Sequence, residues 1–190
     1  MRKFSNIWLL ACGFAAFVAC QSKESETAQK STAAESTEAT SESEQRPSPL
    51  VVEEGQASGK SVKVQYGSPS IKGRTLWGDL VPYNVVWRTG ANEATFIDIP
   101  QDIQVEGKTL AAGKYSLFTI PKERGAWTVI FNSEWNLEHG HFQYDEKKDV
   151  LRVEATPVWE DSSAERLSIK VENPGLVIRW GTLKLPIAIQ

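Results

Sequence analysis

Beyond about residue 50 the chain is predicted to be all-β: an antiparallel β-sandwich of about nine short strands, a jelly roll being one such arrangement. Three observations predict it. Apolar and polar residues alternate with period two in segment after segment, as strands with one buried and one wet face require. Glycines and turn-forming pairs stand between those segments at short intervals. No stretch of the domain repeats its apolar residues at helical spacing over a useful length.

The elements follow in order. Val62 to Tyr66, Thr95 to Ile99 and Ile103 to Val105 are short alternating runs. Lys114 to Ile120 and Ala126 to Asn132 carry large side chains on both faces and are expected to be more fully buried. From Val150 to Thr156, Leu151, Val153 and Ala155 oppose Arg152 and Glu154, and Leu167, Ile169 and Val171 alternate with Arg166, Ser168, Lys170 and Glu172. Leu176 to Trp180 and a last strand carrying Leu183, Leu185, Ile187 and Ile189 complete the set. Glu106-Gly107, Ala112-Gly113, Arg124-Gly125, Asn173-Pro174-Gly175 and Gly181 supply the turns. Trp127 and Trp180 lie within strands and are expected in the core.

Ahead of this domain the sequence reads as an address and a leash. Arg2 and Lys3 precede thirteen uncharged residues, Ile7 to Ala19, the layout of an export signal spanning residues 1 to 19. As a helix that segment reaches roughly 20 Å, short of the ~30 Å hydrocarbon core, so it predicts a removable signal and no permanent span. Phe17-Val18-Ala19-Cys20 resembles a bacterial lipobox, which makes Cys20 the expected lipidated residue; Leu9-Leu10-Ala11-Cys12 is a competing match that would strand residues 13 to 19 on the mature chain. At roughly 0.8 kcal/mol per buried methylene, palmitate-like chains on Cys20 would anchor the protein durably to a membrane. Residues 20 to 49 are dominated by Ser, Thr, Ala and Glu and carry no aromatic or branched aliphatic side chain, so they are predicted to be a disordered tether of about 30 Å r.m.s. span.

Composition narrows the function classes. The net charge is −3, and the tether carries six acidic against three basic residues, so the domain is nearly neutral and no nucleic-acid partner is expected. Both cysteines, Cys12 and Cys20, precede the domain, which excludes an internal disulfide, a thiolate nucleophile or a Cys-ligated metal within it. No cofactor is expected. His139 and His141 are the only histidines; an i, i+2 pair on an extended segment would project to one side and begin a metal site, but no third ligand stands at a supporting spacing.

One region does not alternate. Ser68 to Arg74 reads S-P-S-I-K-G-R, Gly78 to Tyr83 reads G-D-L-V-P-Y, and Trp87 to Glu93 reads W-R-T-G-A-N-E. With A-G-K-Y-S-L-F-T-I-P at Ala112 to Pro121, W-T-V-I-F at Trp127 to Phe131, and Tyr144 to Val153, these motifs closely resemble the bacterial family known as domain of unknown function 2911, over residues 50 to 190. The resemblance implies an exported or lipid-anchored all-β protein and leaves the activity open.

Read chemically, the W-R-T-G-A-N-E loop sets a planar cation, an amide and a carboxylate around a glycine. A binding site would use Arg88 as a clamp for a carboxylate or phosphate, Asn92 as a polar reader and Trp87 or Trp77 as a stacking platform, with Lys72, Arg74, Asp79 and Tyr83 on the same loop face and Glu93 beside them. A scaffold would instead pair Arg88 with Glu93 or Asp79 and use Asn92 to cap a turn. The leading expectation is a lipid-anchored, non-catalytic β module of the cell envelope, on the periplasmic or surface-exposed side of the outer membrane, binding a small molecule, glycan or protein through residues 68 to 93. The alternatives are an envelope hydrolase using Glu93 with Arg88 or the His139/His141 pair, and a purely structural envelope component.

Overall fold

The computed structural model describes residues 46–190. The export segment, Cys20 and the expected tether as far as residue 45 lie outside the described residues.

Among the described residues ten strands form, one more than expected. They are β1 (Leu50–Ala57), β2 (Lys60–Gly67), β3 (Phe96–Ile99), β4 (Ile103–Val105), β5 (Lys108–Leu110), β6 (Gly113–Ile120), β7 (Trp127–Asn132), β8 (Asp149–Ala155), β9 (Val158–Glu172) and β10 (Gly175–Ala188). Six of them make an antiparallel sheet in the order β1-β2-β3-β6-β7-β8. This is a meander from which only the β4–β5 hairpin is displaced, and it is not the Greek-key order of a jelly roll. The long β9–β10 hairpin and the β4–β5 hairpin form the opposing layer, joined through the Val105–Ile189 bridge and reciprocal backbone hydrogen bonds between Gln104 and Gln190.

Local chemistry explains the hairpins. The β1–β2 and β4–β5 turns are two-residue loops, Ser58-Gly59 and Glu106-Gly107, with both residues of each at positive φ, the mirror-image turn whose twist matches its flanking strands. Leu176 to Trp180 and Leu183 to Ile189 belong to one strand, because Gly181, at φ +59°, does not end β10. It shifts the register instead, so that extra residues of β9 bulge opposite it. A side chain at Gly181 would meet Leu76, so the kink makes room for the irregular segment that follows β2.

The main core lies between the layers: Val64, Ile97, Leu117, Val129 and Val153 from the sheet face Leu167, Ile169, Ile178, Leu185 and Ile187 from the hairpin, all at most 2% exposed. The two strands expected to be buried on both faces are so. Phe118 on β6 and Ile130 on β7 point away from this core and are covered by Val86 and Ala94 and by Leu137 and Tyr144 of the β7–β8 connection. Buried apolar surface contributes about 25 cal/mol per Å², so this second cluster ties two irregular segments to the sheet's outer face. Among the described residues no helix is long and apolar enough to cross a membrane.

Candidate binding site

The W-R-T-G-A-N-E loop is an excursion from a strand. Thr95 accepts a backbone hydrogen bond from Leu117 of β6, and Trp87 exchanges two with Thr119, so both ends continue the ladder alongside β6 while residues 88 to 94 loop out. The hydroxyls of Thr89 and Thr119 lie 3.1 Å apart, and Thr95 donates to the Thr89 carbonyl, which closes the neck of the loop with buried polar contacts. Its crown is pressed onto the end of β2: Ala91 N–H donates to the Gly67 carbonyl, and a Cβ at Gly67 would collide with the Ala91 carbonyl oxygen.

The preceding motif is also built into the frame. Ser68 donates its hydroxyl to the Leu167 carbonyl, Arg166 donates to the Ser68 carbonyl, and residues 69 to 71 pair with the free edge of β9. Lys72, at φ +51°, donates its backbone N–H to Glu165, and Arg74 donates to the Ser70 and Ile71 carbonyls. Leu76 to Val81 then turn back on themselves and seat Trp77 against four other tryptophans. Trp77 meets Trp127, Trp87, Trp180 and Trp159 edge-on at 5.0 to 6.3 Å between ring centroids, while Trp87 and Trp180 stack at 5.8 Å with 21° between planes. Such pairs add about 0.5–1.5 kcal/mol each beyond their burial. Trp87 and Trp180, 9% and 2% exposed, are therefore no open shelf for a sugar ring.

Beside this cluster opens a cleft of about 340 Å³. Trp87 and Trp180 lie at its base, Leu80, Val81, Pro82, Val85 and Val86 give it apolar walls, and Arg74, Arg88, His141 and Ser48 supply its polar side chains. Among the described residues no carboxylate lines it. Arg88 is half-buried and donates from Nη1 to the Asn92 carbonyl at 3.1 Å, but its Nε is sealed from solvent without a hydrogen-bond partner, and so is Nδ1 of His141. An unpartnered buried polar atom costs about 1–3 kcal/mol, and this wall holds two of the three such side-chain atoms among the described residues, the third being Trp77 Nε1 in the adjoining cluster. Burial depresses the Arg88 pKa, against the opposing pull of Glu93; burial and then the Arg88 charge depress that of His141. A wider depression of about 420 Å³ beside the β1–β2 hairpin is less suggestive, because its charged residues Lys63 and Asp98 are already paired with Glu54 and Lys114.

Of the residues singled out in the sequence, Trp87, Arg88 and Arg74 line the cleft. Asn92, at φ +66°, borders it through its carbonyl; Tyr83 packs near Gly78; Lys72 and Asp79 are exposed and line no part of it. Glu93 pairs neither with Arg88 nor as a free carboxylate. Arg46 donates from Nη2 to both its oxygens, at 2.9 and 2.8 Å, a contact between residues 47 apart in sequence. The histidines correct a further expectation: residues 140 to 143 form a 3₁₀ turn, not an extended segment. His139 stays exposed ahead of it, while His141 enters the cleft beside Arg88. Among the described residues no three His, Cys, Asp or Glu side chains cluster as a metal site. Sequence reasoning missed Trp180 and the aliphatic walls as cleft residues, since nothing in a strand's period says which ring will meet a distant loop.

Burial alone would raise the Glu93 pKa, but the hydrogen bonds from Arg46 and from its own backbone N–H, with the charges of Arg46 and Arg88, hold it below the usual carboxylate range. A pKa depressed by folding adds stability above the ordinary value near 4.5, and that stability is lost as pH falls through the folded value. Both partners are partly exposed and screened, so Glu93→Gln is expected to cost less than about 1 kcal/mol at pH 7. Urea unfolding of both proteins from pH 7 downward checks this; a gap that does not shrink at all as the pH falls below the ordinary carboxylate range contradicts the pairing.

Fold and site together define an antiparallel β-sandwich domain with an arginine-bearing cleft over a tryptophan cluster. The chain belongs to the family described as Protein of unknown function (DUF2911), whose model matches residues 48–189. No curated protein and no solved structure matches it.

Proposed function

We propose that the protein is a lipoprotein of the cell envelope, anchored through Cys20, whose β domain is a non-catalytic module that binds a small molecule on the loop face of residues 68 to 93. One observation carries the binding reading: Arg88 stands in the cleft wall with Nε sealed and unpartnered beside an equally unpartnered His141 Nδ1, over stacked Trp87 and Trp180. A site that keeps polar atoms unsatisfied next to an open cleft of mixed polar and aliphatic lining is arranged for something to enter it. The cleft's volume lies at the small end of the about 300–1,000 Å³ typical of small-molecule sites, which favours a compact ligand over an extended glycan or a protein surface.

The hydrolase reading is weaker on the same geometry. A general acid needs a carboxyl whose pKa is raised towards neutrality, and Glu93 is shifted the opposite way and bound by Arg46. The experiment is a thermal-melt screen of the purified protein against small carboxylates, sugars, cell-wall fragments and divalent metals. A ligand at a hundred times its dissociation constant adds about 2.7 kcal/mol, several degrees for a domain of this size. The expected result is a shift from one class that Arg88→Ala abolishes; no shift from any class removes the binding reading.

The anchor has its own test. With Cys20→Ala, fatty-acid labelling is expected to vanish and the protein to leave the membrane fraction. Undiminished labelling of that variant would move the anchor elsewhere.

A further inference from the structure

Resting on the binding reading above, we propose the ligand's chemical class: a small organic carboxylate with an apolar body, its carboxylate on Arg88 and its body against the tryptophans and aliphatic walls of the cleft. The charge in the cleft points to an anion. Two guanidiniums line it, Arg74 and Arg88, and among the described residues no carboxylate does. Arg74 is spent on the backbone carbonyls of Ser70 and Ile71, which hold its position without neutralising its charge. Glu93, the one acid of the neighbouring loop close enough to influence Arg88, is engaged by Arg46 and does not line the cleft.

The donor geometry points to a carboxylate. Arg88 is fixed from two sides: its Nη1 donates to the Asn92 carbonyl, and a Cβ added at Gly140 would run into its Cδ, so the backbone of the β7–β8 connection lies directly against its stem. With Nη1 occupied, the unspent side of the guanidinium is the edge that bears Nε. The Nε and Nη2 hydrogens of a guanidinium form a planar two-donor fork that matches two carboxylate oxygens. Nε is sealed from solvent, so the fork reaches a ligand by a turn of the guanidinium about its packed stem, towards the cleft that Arg88 lines and at the cost of the Nη1 bond to the Asn92 carbonyl. The exposed ring of Phe142, with its centroid 6.0 Å from Arg88 Cζ, borders the same charge.

The remaining walls point to an apolar body. Leu80, Val81, Pro82, Val85 and Val86 offer no side-chain hydrogen-bonding group, and the indole N–H of Trp87 is already given to the Gly90 carbonyl. A sugar would bury hydroxyls there without partners, and inorganic phosphate would leave the apolar walls unused.

The test uses the full chain as the cell exports it, purified in detergent and titrated with benzoate and hexanoate, with benzamide, hexanamide and inorganic phosphate beside them. Heat and tryptophan fluorescence report binding, the latter because Trp87 and Trp180 form the base of the cleft. The carboxylates are expected to bind at least tenfold more tightly than their amides and than phosphate, and Arg88→Lys, which keeps the charge but loses the fork, to weaken them at least tenfold. Val85→Asp is the variant that leaves the frame alone, since Val85 is half-exposed on the cleft wall; it is expected to weaken carboxylate binding at least tenfold with an unchanged melting temperature. Amides or phosphate binding as well as the carboxylates, or full carboxylate affinity in Val85→Asp, overturns the proposal. Sugars or cell-wall fragments binding where carboxylates do not would overturn it while sparing the binding module. No binding by any class would remove both.

Discussion

Replacing Gly67 with alanine is expected to destabilise the domain by about 3 kcal/mol, at the upper end of what overpacking costs, although it adds one methyl group. Gly67 ends β2 where the crown of the W-R-T-G-A-N-E loop lies on it, and a Cβ there would collide with the carbonyl oxygen of Ala91. That atom belongs to backbone and cannot rotate aside. Nor can the loop slide, since Gly90 beside it is equally confined: a Cβ on Gly90 would stand 2.7 Å from Thr95 Oγ1 and 3.1 Å from the Gly67 carbonyl oxygen. The variant must lift residues 88 to 94 off β2, breaking the Ala91 to Gly67 hydrogen bond and displacing Arg88 from the cleft wall. Gly59→Ala is the matched comparison. It meets nothing within 4 Å, so its cost is only the roughly 1–2 kcal/mol of a left-handed alanine. Urea unfolding of both variants checks the difference; a Gly67→Ala loss no larger than that of Gly59→Ala would show that the loop is not clamped to β2.

Trp180→Ala is expected to cost about 3–5 kcal/mol, the range for truncating a fully buried tryptophan, and to abolish ligand binding in any variant that still folds. The indole is 2% exposed, stacks on Trp87, meets Trp77 edge-on at 6.0 Å and donates to the Glu165 carbonyl at 3.3 Å. Removing it opens a cavity under the cleft and takes away the partner that holds Trp87 flat. Trp159 is the contrast, at 47% exposure and with Trp77 as its one aromatic neighbour, and its truncation should cost about 1 kcal/mol, as for a largely solvated side chain. Equal losses in the two variants, read by thermal unfolding, would mean that the cluster carries no concentrated stability.

How much of this was legible depended on burial. The alternating runs at Leu167 to Val171 and Leu183 to Ile189 announce strands because one face of each enters the core. Phe118 and Ile130 announce a second covered face because an exposed pair so large would be anomalous. β1 passed unnoticed: it is an edge strand whose apolar Val52 is 48% exposed and whose centre is Glu53, Glu54 and Gly55, so little in it alternates. The first half of β9, Val158 to Ala164, is a mostly exposed ribbon and carries no pattern for the same reason. Gly181 looked like a strand end because a glycine at positive φ usually marks a turn, and here it marks a bulge.

The site divides along the same line. Trp87 and Arg88 could be picked out because a planar cation beside an indole is unusual chemistry in a loop. The partner of Glu93 could not, since Arg46 comes from the segment before β1. His141 stood out in the sequence only as half of a histidine pair without a third ligand, and in the fold it shares a cleft with a guanidinium. By itself, then, the sequence determined the all-β class, most strands, the tight turns and family membership, all of which follow from patterns repeating every two residues or from motifs of under ten. Tertiary structure alone decided that His141 and Trp180 join Arg74 and Arg88 around one cleft, and that Lys72 and Asp79 do not. The physical reason is that alternation reports only which face of a segment leaves water, whereas a cleft is made by which distant segments then share that dry face and by the few polar atoms their packing leaves unpaired.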